Sequence, residues 1–198
     1  MRDAHRSALW AQNHQVRYCD RALSLGDAAT ETAVKKAALG NARILAFATH
    51  GLLTGELTGL SEPALVLTPP AKATDIDDGL LTASEAAQLQ LGADWVVLSA
   101  CNTAAGDGTP GAEGLSGLAR AFLYAGARAI LVSHWPVRDD AAAALTTGAF
   151  SRLTSEKGIG RAEALREAMI AVMDNTDDPT LAHPSAWAPF VVVGEGGN

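Results

Sequence analysis

Trp95-Val-Val-Leu-Ser-Ala-Cys101-Asn-Thr103 is the stretch that decides how this chain reads. Trp95 to Leu98 is a short apolar run, rich in valine, that gives way to small residues. That length and that β-branched content predict a buried strand rather than a helix. Ala104-Ala-Gly-Asp-Gly-Thr-Pro-Gly111 follows and cannot continue a strand. Cys101 is therefore expected at the carboxyl end of a central strand, where the backbone leaves the sheet. In open α/β sheets that rim is where ligands bind. A thiol there is a candidate nucleophile. It also fits a small apolar residue closing a core strand, because free cysteine is commonly buried and inert.

A second stretch, Ala42-Arg-Ile-Leu-Ala-Phe-Ala-Thr-His50-Gly51, repeats the plan. An apolar strand ends in small residues, then a histidine, then a glycine. If the two strands are parallel neighbours, His50 and Cys101 project from the same rim. Thiolate chemistry needs a base and proton carrier close to the sulfur. A lone histidine at a strand end is commonly a structural hydrogen-bonder, but two reactive side-chain types at equivalent strand ends point to a pair. His50 precedes Cys101 by 51 residues. Caspase signatures place their histidine roughly 50 residues before a Q-A-C-x-G nucleophile, where this chain reads Ser99-Ala-Cys101-Asn-Thr103.

Four strings then carry a family resemblance: Ala48-Thr-His-Gly51, Leu98-Ser-Ala-Cys-Asn-Thr-Ala-Ala-Gly106, the run from Glu113 to Ala127, and Ser133-His-Trp-Pro-Val137. Together they closely resemble CHAT domains, caspase-like cysteine peptidase domains of the caspase and separase clan. The resemblance spans residues 26–194. It implies an α/β fold, a three-layer caspase-like sandwich with a mostly parallel sheet and helices on both faces. It also implies a Cys–His dyad of Cys101 and His50, with the Gly51 and Cys101 backbone N–H groups as the oxyanion hole. Residues 1–25 match weakly and read as a loose amphipathic helical head, and residues 195–198 as a frayed tail. Family members usually carry an earlier half with further strands, and often an upstream array of helical repeats. This chain lacks both, so the front half is expected to be incomplete. One sheet edge is then expected to be open to self-association or to a covering partner chain, and a helical-repeat regulator is the other expected partner.

Composition sets the outer bounds. A chain of 198 residues suits one domain with a substantial core. Hydrophobic residues make up 48% and charged residues 19%, which is the balance of a globular α/β protein and not of a disordered one. A formal net charge of −7 argues against a nucleic-acid partner or an anionic membrane surface. No apolar run reaches the roughly 18 residues of a membrane span, and no signal-like segment opens the chain. The two cysteines, Cys19 and Cys101, form neither a disulfide framework nor a metal spacing. No metal and no cofactor are expected, and a reduced, cytoplasmic setting fits a nucleophilic thiol.

In chain order, a helix is expected over 28–39 with Asp27 as its N-cap, then a strand over 43–48. Ala64 to Leu67 and Leu80-Leu81 read as a hairpin-like excursion with a long acidic tip, Asp75-Ile-Asp-Asp78-Gly79. That tip has the wrong length for an EF-hand and reads as a solvated turn. Thr82-Ala-Ser-Glu85 has the capping-box pattern and opens a helix expected to reach Leu91. Helices follow over 113–124, 139–154 and 161–173, with strands over 128–133 and 190–193. Asn175 to Pro184 reads as a polar loop.

The chemistry these residues point to is peptide-bond hydrolysis through a Cys101 thioester, with His50 as base and then acid. His134, at the end of the following strand, is the rival base. Gly106-Asp-Gly-Thr-Pro-Gly111 fits G-x-G-x-x-G, but Pro110 lacks an N–H and no acidic residue ends the next strand, so nucleotide binding is set aside. Ser99, two residues before the thiol, and Trp135 are expected to line the substrate pocket. Asp139 and Asp140 are its candidate carboxylates, although the N-terminus of the next helix also accounts for them. The expected partner is a protein or peptide substrate. The alternative is an inactive CHAT-like interaction module or a truncated remnant.

Overall fold

The computed structural model describes residues 26–74, 76–99 and 117–197. Cys19 and Cys101 lie outside the described residues, as does the glycine-rich stretch up to residue 116.

A four-stranded sheet carries the fold, in the order β1-β5-β6-β7. Its strands are β1 (Ile44–Phe47), β5 (Trp95–Leu98), β6 (Ala129–Ser133) and β7 (Phe190–Gly194). β1, β5 and β6 run parallel, and β7 returns antiparallel to β6. A second, three-stranded antiparallel sheet is formed by β2 (Gly51–Leu52), β3 (Ala64–Val66) and β4 (Leu80–Thr82). β3 and β4 are the expected hairpin excursion.

Side-chain alternation along the strands sorts the core into two layers. Val96 and Leu98 of β5 and Ile130 and Val132 of β6 face one side. There they meet Leu118, Ala119 and Phe122 of α3, described from Gly117 to Tyr124, and Leu65 and Leu81 of the small sheet. Trp95, Val97, Ala129 and Leu131 face the other side. They pack on Ala141, Leu145 and Ala149 of α4 (Asp139–Ser155) and on Ala164, Leu165 and Ala168 of α5 (Arg161–Met173). The molecule is thus a caspase-like α/β sandwich with helices on both faces. All four β5 residues are at most 1% exposed. Full burial of each such side chain is worth about 1.5–3 kcal/mol, so β5 anchors both cores.

Several boundaries differ from expectation for local reasons. α1 is Glu31–Lys36, not 28–39. The Ala29 carbonyl accepts from Thr68 N–H at 2.9 Å, which ties that residue to the hairpin instead of a helical turn. The cap is Thr30, whose Oγ1 accepts from Ala33 N–H, and not Asp27. α2 (Ala83–Ala86) has the expected capping box between Thr82 and Glu85. It stops short of Leu91, whose N–H donates to the Ala125 carbonyl at the end of α3. The acidic tip is not simply solvated. Asp77 is buried and accepts from Thr32 N–H at 3.0 Å, while Glu31 Oε2 accepts from Asp78 N–H at 2.9 Å. Asp139 is the first residue of α4 and not its cap. The segment read as a polar loop, Asn175 to Pro184, holds a 3-10 turn (Pro179–Ala182), and α6 (Pro184–Trp187) starts at its last residue.

Candidate functional site

The condition set by the sequence is met: β1 and β5 are parallel neighbours, with Phe47 beside Leu98. The Ser99 N–H donates to the Phe47 carbonyl at 3.0 Å, so the two chains stay together to the last residue before the undescribed stretch. His50 therefore leaves the same end of the sheet that Ser99 leaves, two residues before Cys101. Ser99 is half-buried, and strand alternation turns it to the side of Val97, the face covered by α4 and α5. The thiol itself lies outside the described residues.

His50 is exposed, and no hydrogen bond engages its ring among the described residues. Its backbone is held firmly. The Val66 N–H donates to the His50 carbonyl at 2.8 Å, and the Thr49 hydroxyl donates to the Val66 carbonyl. Gly51 then pairs with Leu65 as β2 begins. In an antiparallel ladder hydrogen-bonded pairs alternate with pairs whose N–H groups point outward. His50 is bonded to Val66, so the next residue, Gly51, turns its N–H away from β3.

The neighbouring strand supplies the rest of the rim. β6 ends at Ser133, and His134 N–H donates to the Pro189 carbonyl at 3.0 Å. Trp135 follows and remains 40% exposed. The structure separates the two carboxylates at the start of α4. Asp140 is held by Arg138, with Nε–Oδ1 at 3.0 Å and Nη2–Oδ2 at 2.6 Å. The same guanidinium reaches Asp178 at 3.0 Å and the Thr180 hydroxyl at 2.6 Å. Arg138 lowers the Asp140 carboxyl below its ordinary range, and the Thr180 hydroxyl, with Arg138, does the same for Asp178. Asp139 is exposed and has no such partner among the described residues.

Two parts of this arrangement were invisible in the sequence. Nothing local to Val66 marks it as the residue that holds the histidine segment, because the contact spans separate elements. Nothing local to Arg138 marks it as the partner that holds Asp140. Asp178, 40 residues further on, meets the same guanidinium only in the folded chain. Among the described residues no group of three or more His, Cys, Asp or Glu side chains is placed to hold a metal ion. No described helix is long and apolar enough to cross a membrane.

Comparison with known proteins agrees with this architecture. A family model described as CHAT domain matches residues 3–195. Over 115 residues, 58% of this chain, the sequence is 39% identical to tetratricopeptide repeat protein 28 of Mus musculus. It is 38% identical over the same length to the Homo sapiens protein of that name. The aligned region covers 4% of each of those much longer proteins.

Proposed function

The chain belongs to the CHAT domain family, and from that premise we propose that it is a cysteine endopeptidase working through Cys101 and His50. His50 takes the thiol proton as the Cys101 sulfur attacks the scissile carbonyl. It then delivers that proton to the leaving amine, and a thioester remains. Water, deprotonated by His50, attacks the thioester, releasing the new carboxyl end and returning the thiol. The developing oxyanion accepts from the Gly51 and Cys101 N–H groups. The outward turn of the Gly51 N–H supports its part in this, and the absence of a Cβ leaves room for a substrate backbone.

The observation that carries the proposal is the parallel pairing of β1 with β5. It brings His50 to the rim toward which the strand before Cys101 runs. For the residue preceding the cleaved bond, Ser99 and Trp135 form a neutral pocket that favours an apolar side chain. The ion pair of Asp140 with Arg138 supports that choice, since it occupies one of the two carboxylates that would otherwise attract Arg or Lys. Asp139 is the remaining candidate for a basic preference. The substrate is a protein or peptide, in a reducing compartment such as the cytoplasm. A helical-repeat partner as regulator is consistent with the name of the tetratricopeptide repeat relatives.

A panel of fluorogenic peptides differing only before the cleaved bond tests this. Wild type should cleave after Leu or Met faster than after Arg, and Cys101→Ala should cleave none. Preference for Arg that disappears in Asp139→Asn would transfer the pocket to that carboxylate. Turnover by none of the peptides would favour the non-catalytic interaction module.

A further inference from the structure

We infer that Thr49 is a positioning residue, and that the hydrogen bond from its hydroxyl to Val66 does for His50 what a third catalytic side chain does elsewhere. The inference takes the peptidase reading as its basis for kinetic consequences only. A catalytic imidazole is ordinarily aimed by a carboxylate or carbonyl on its second ring nitrogen. No such group engages the His50 ring among the described residues. Among the described residues the ring is tied to the fold through its backbone, and that backbone spans the short link between the end of β1 at Phe47 and the start of β2 at Gly51.

Both polar groups of one residue, Val66, hold this link. The Val66 N–H donates to the His50 carbonyl at 2.8 Å. The Val66 carbonyl is the acceptor that a regular antiparallel ladder would give to the His50 N–H. Here the Thr49 hydroxyl donates to it instead. The register explains the choice: Leu65 pairs with Gly51, and continuing the ladder by one step sets Val66 opposite His50. A side chain at position 49 thus closes the last rung of the small sheet. Val66 is itself fixed on its other side, where β3 pairs with β4 through Val66 and Leu80. The clamp consequently refers His50 to the small sheet as well as to β1.

The size of the expected effect follows from how catalysis depends on placement. A displacement of about 1 Å can cost on the order of 10²-fold in rate. Thr49→Val keeps the shape and removes the donor, and Thr49→Ser keeps the donor. The experiment is a pair of readings on wild type, Thr49→Val and Thr49→Ser. One is the proton–carbon NMR signal of the His50 ring, assigned by its loss in His50→Ala. The other is peptide turnover. Wild type and Thr49→Ser should give one narrow His50 signal, and Thr49→Val a broadened or multiple one. Turnover in Thr49→Val should fall by about 10- to 100-fold, in kcat and not in KM. A wild-type His50 signal in folded Thr49→Val would overturn the clamp. Retained turnover in His50→Ala would instead remove the catalytic reading, while the ring signal would still decide whether Thr49 positions His50.

Discussion

Among the described residues, the two ends of the parallel sheet differ in how far their polar residues engage one another. At the amino end, charges are spent on one another. Arg43, before β1, pairs with Asp94, before β5, with Nε–Oδ2 at 2.6 Å. Asp94 also meets Arg128, before β6, at 3.4 Å, and Arg128 pairs with Glu195, after β7, at 2.7 Å. Arg161 closes the row on the Glu195 and Gly197 carbonyls, each at 3.0 Å. Glycines let the connections there touch: a Cβ on Gly92 would lie 2.2 Å from the Gly40 carbonyl oxygen. At the carboxyl end, His50, His134 and Trp135 are exposed, and no hydrogen bond engages the His50 ring among the described residues. Among the described residues, the amino end is closed by paired charges, and the carboxyl end keeps His50 and Trp135 exposed beside the Arg138–Asp140–Asp178 cluster.

Substitutions at the two ends should separate accordingly, with the large losses of activity at the carboxyl end and the larger losses of stability at the amino end. The largest effect is expected from Cys101→Ala, which should abolish peptide turnover, and from His50→Ala, which should reduce it by about 10²- to 10⁴-fold. The unfolding midpoint of His50→Ala should match wild type, because the ring is exposed and engages nothing described. A His50→Ala protein that loses its fold would break the comparison. Cys19→Ser should change neither reading.

The next effect belongs to the amino end. Gly92→Ala forces a methyl group against the Gly40 carbonyl and should cost about 1–3 kcal/mol in chemical denaturation. Turnover per folded molecule should stay at the wild-type level. Asp94→Asn should act in the same direction but less. It should lower the thermal midpoint by about 2–4 °C, with the difference shrinking in high salt, as expected for exposed ion pairs. A midpoint indifferent to salt would mean that Asp94 matters through packing.

The smallest effect lies at the carboxyl end itself, where Asp140 meets Arg138. Arg138 holds the Asp140 carboxyl below its ordinary value of 3.8. A carboxyl with a lowered folded-state value stabilises the protein above its unfolded-state value and loses that stabilisation as pH falls through the lowered one. Asp140→Asn should therefore be slightly less stable than wild type at neutral pH. The difference should close as pH drops below about 3.8, which acid titration of the unfolding midpoint can follow.

The sequence revealed the layers and the strand ends because these rest on local patterns. Four apolar residues at Trp95 to Leu98, the Thr82–Glu85 cap and the 161–173 helix are each readable within a few positions. It did not reveal what depends on distant backbone. Leu91 cannot stay helical once its N–H is claimed by Ala125, and Ala29 cannot start a helix once its carbonyl is claimed by Thr68. The site divides in the same way. The placement of His50 beside the strand of Ser99 follows from two matching motifs. The grip of Val66 on that histidine segment and of Arg138 on Asp140 follows only from the folded chain.

The central claim, that His50 acts on Cys101 at the open end of the sheet, is tested most directly by the pH dependence of thiol alkylation. Iodoacetamide labelling of Cys101, followed by mass spectrometry in a Cys19→Ser background, should proceed well below the pH of about 8.5 at which a free thiol ionises. In the same background His50→Ala should move the labelling curve back toward that value. A Cys101 curve that matches a free thiol, or one unchanged by His50→Ala, would contradict the account.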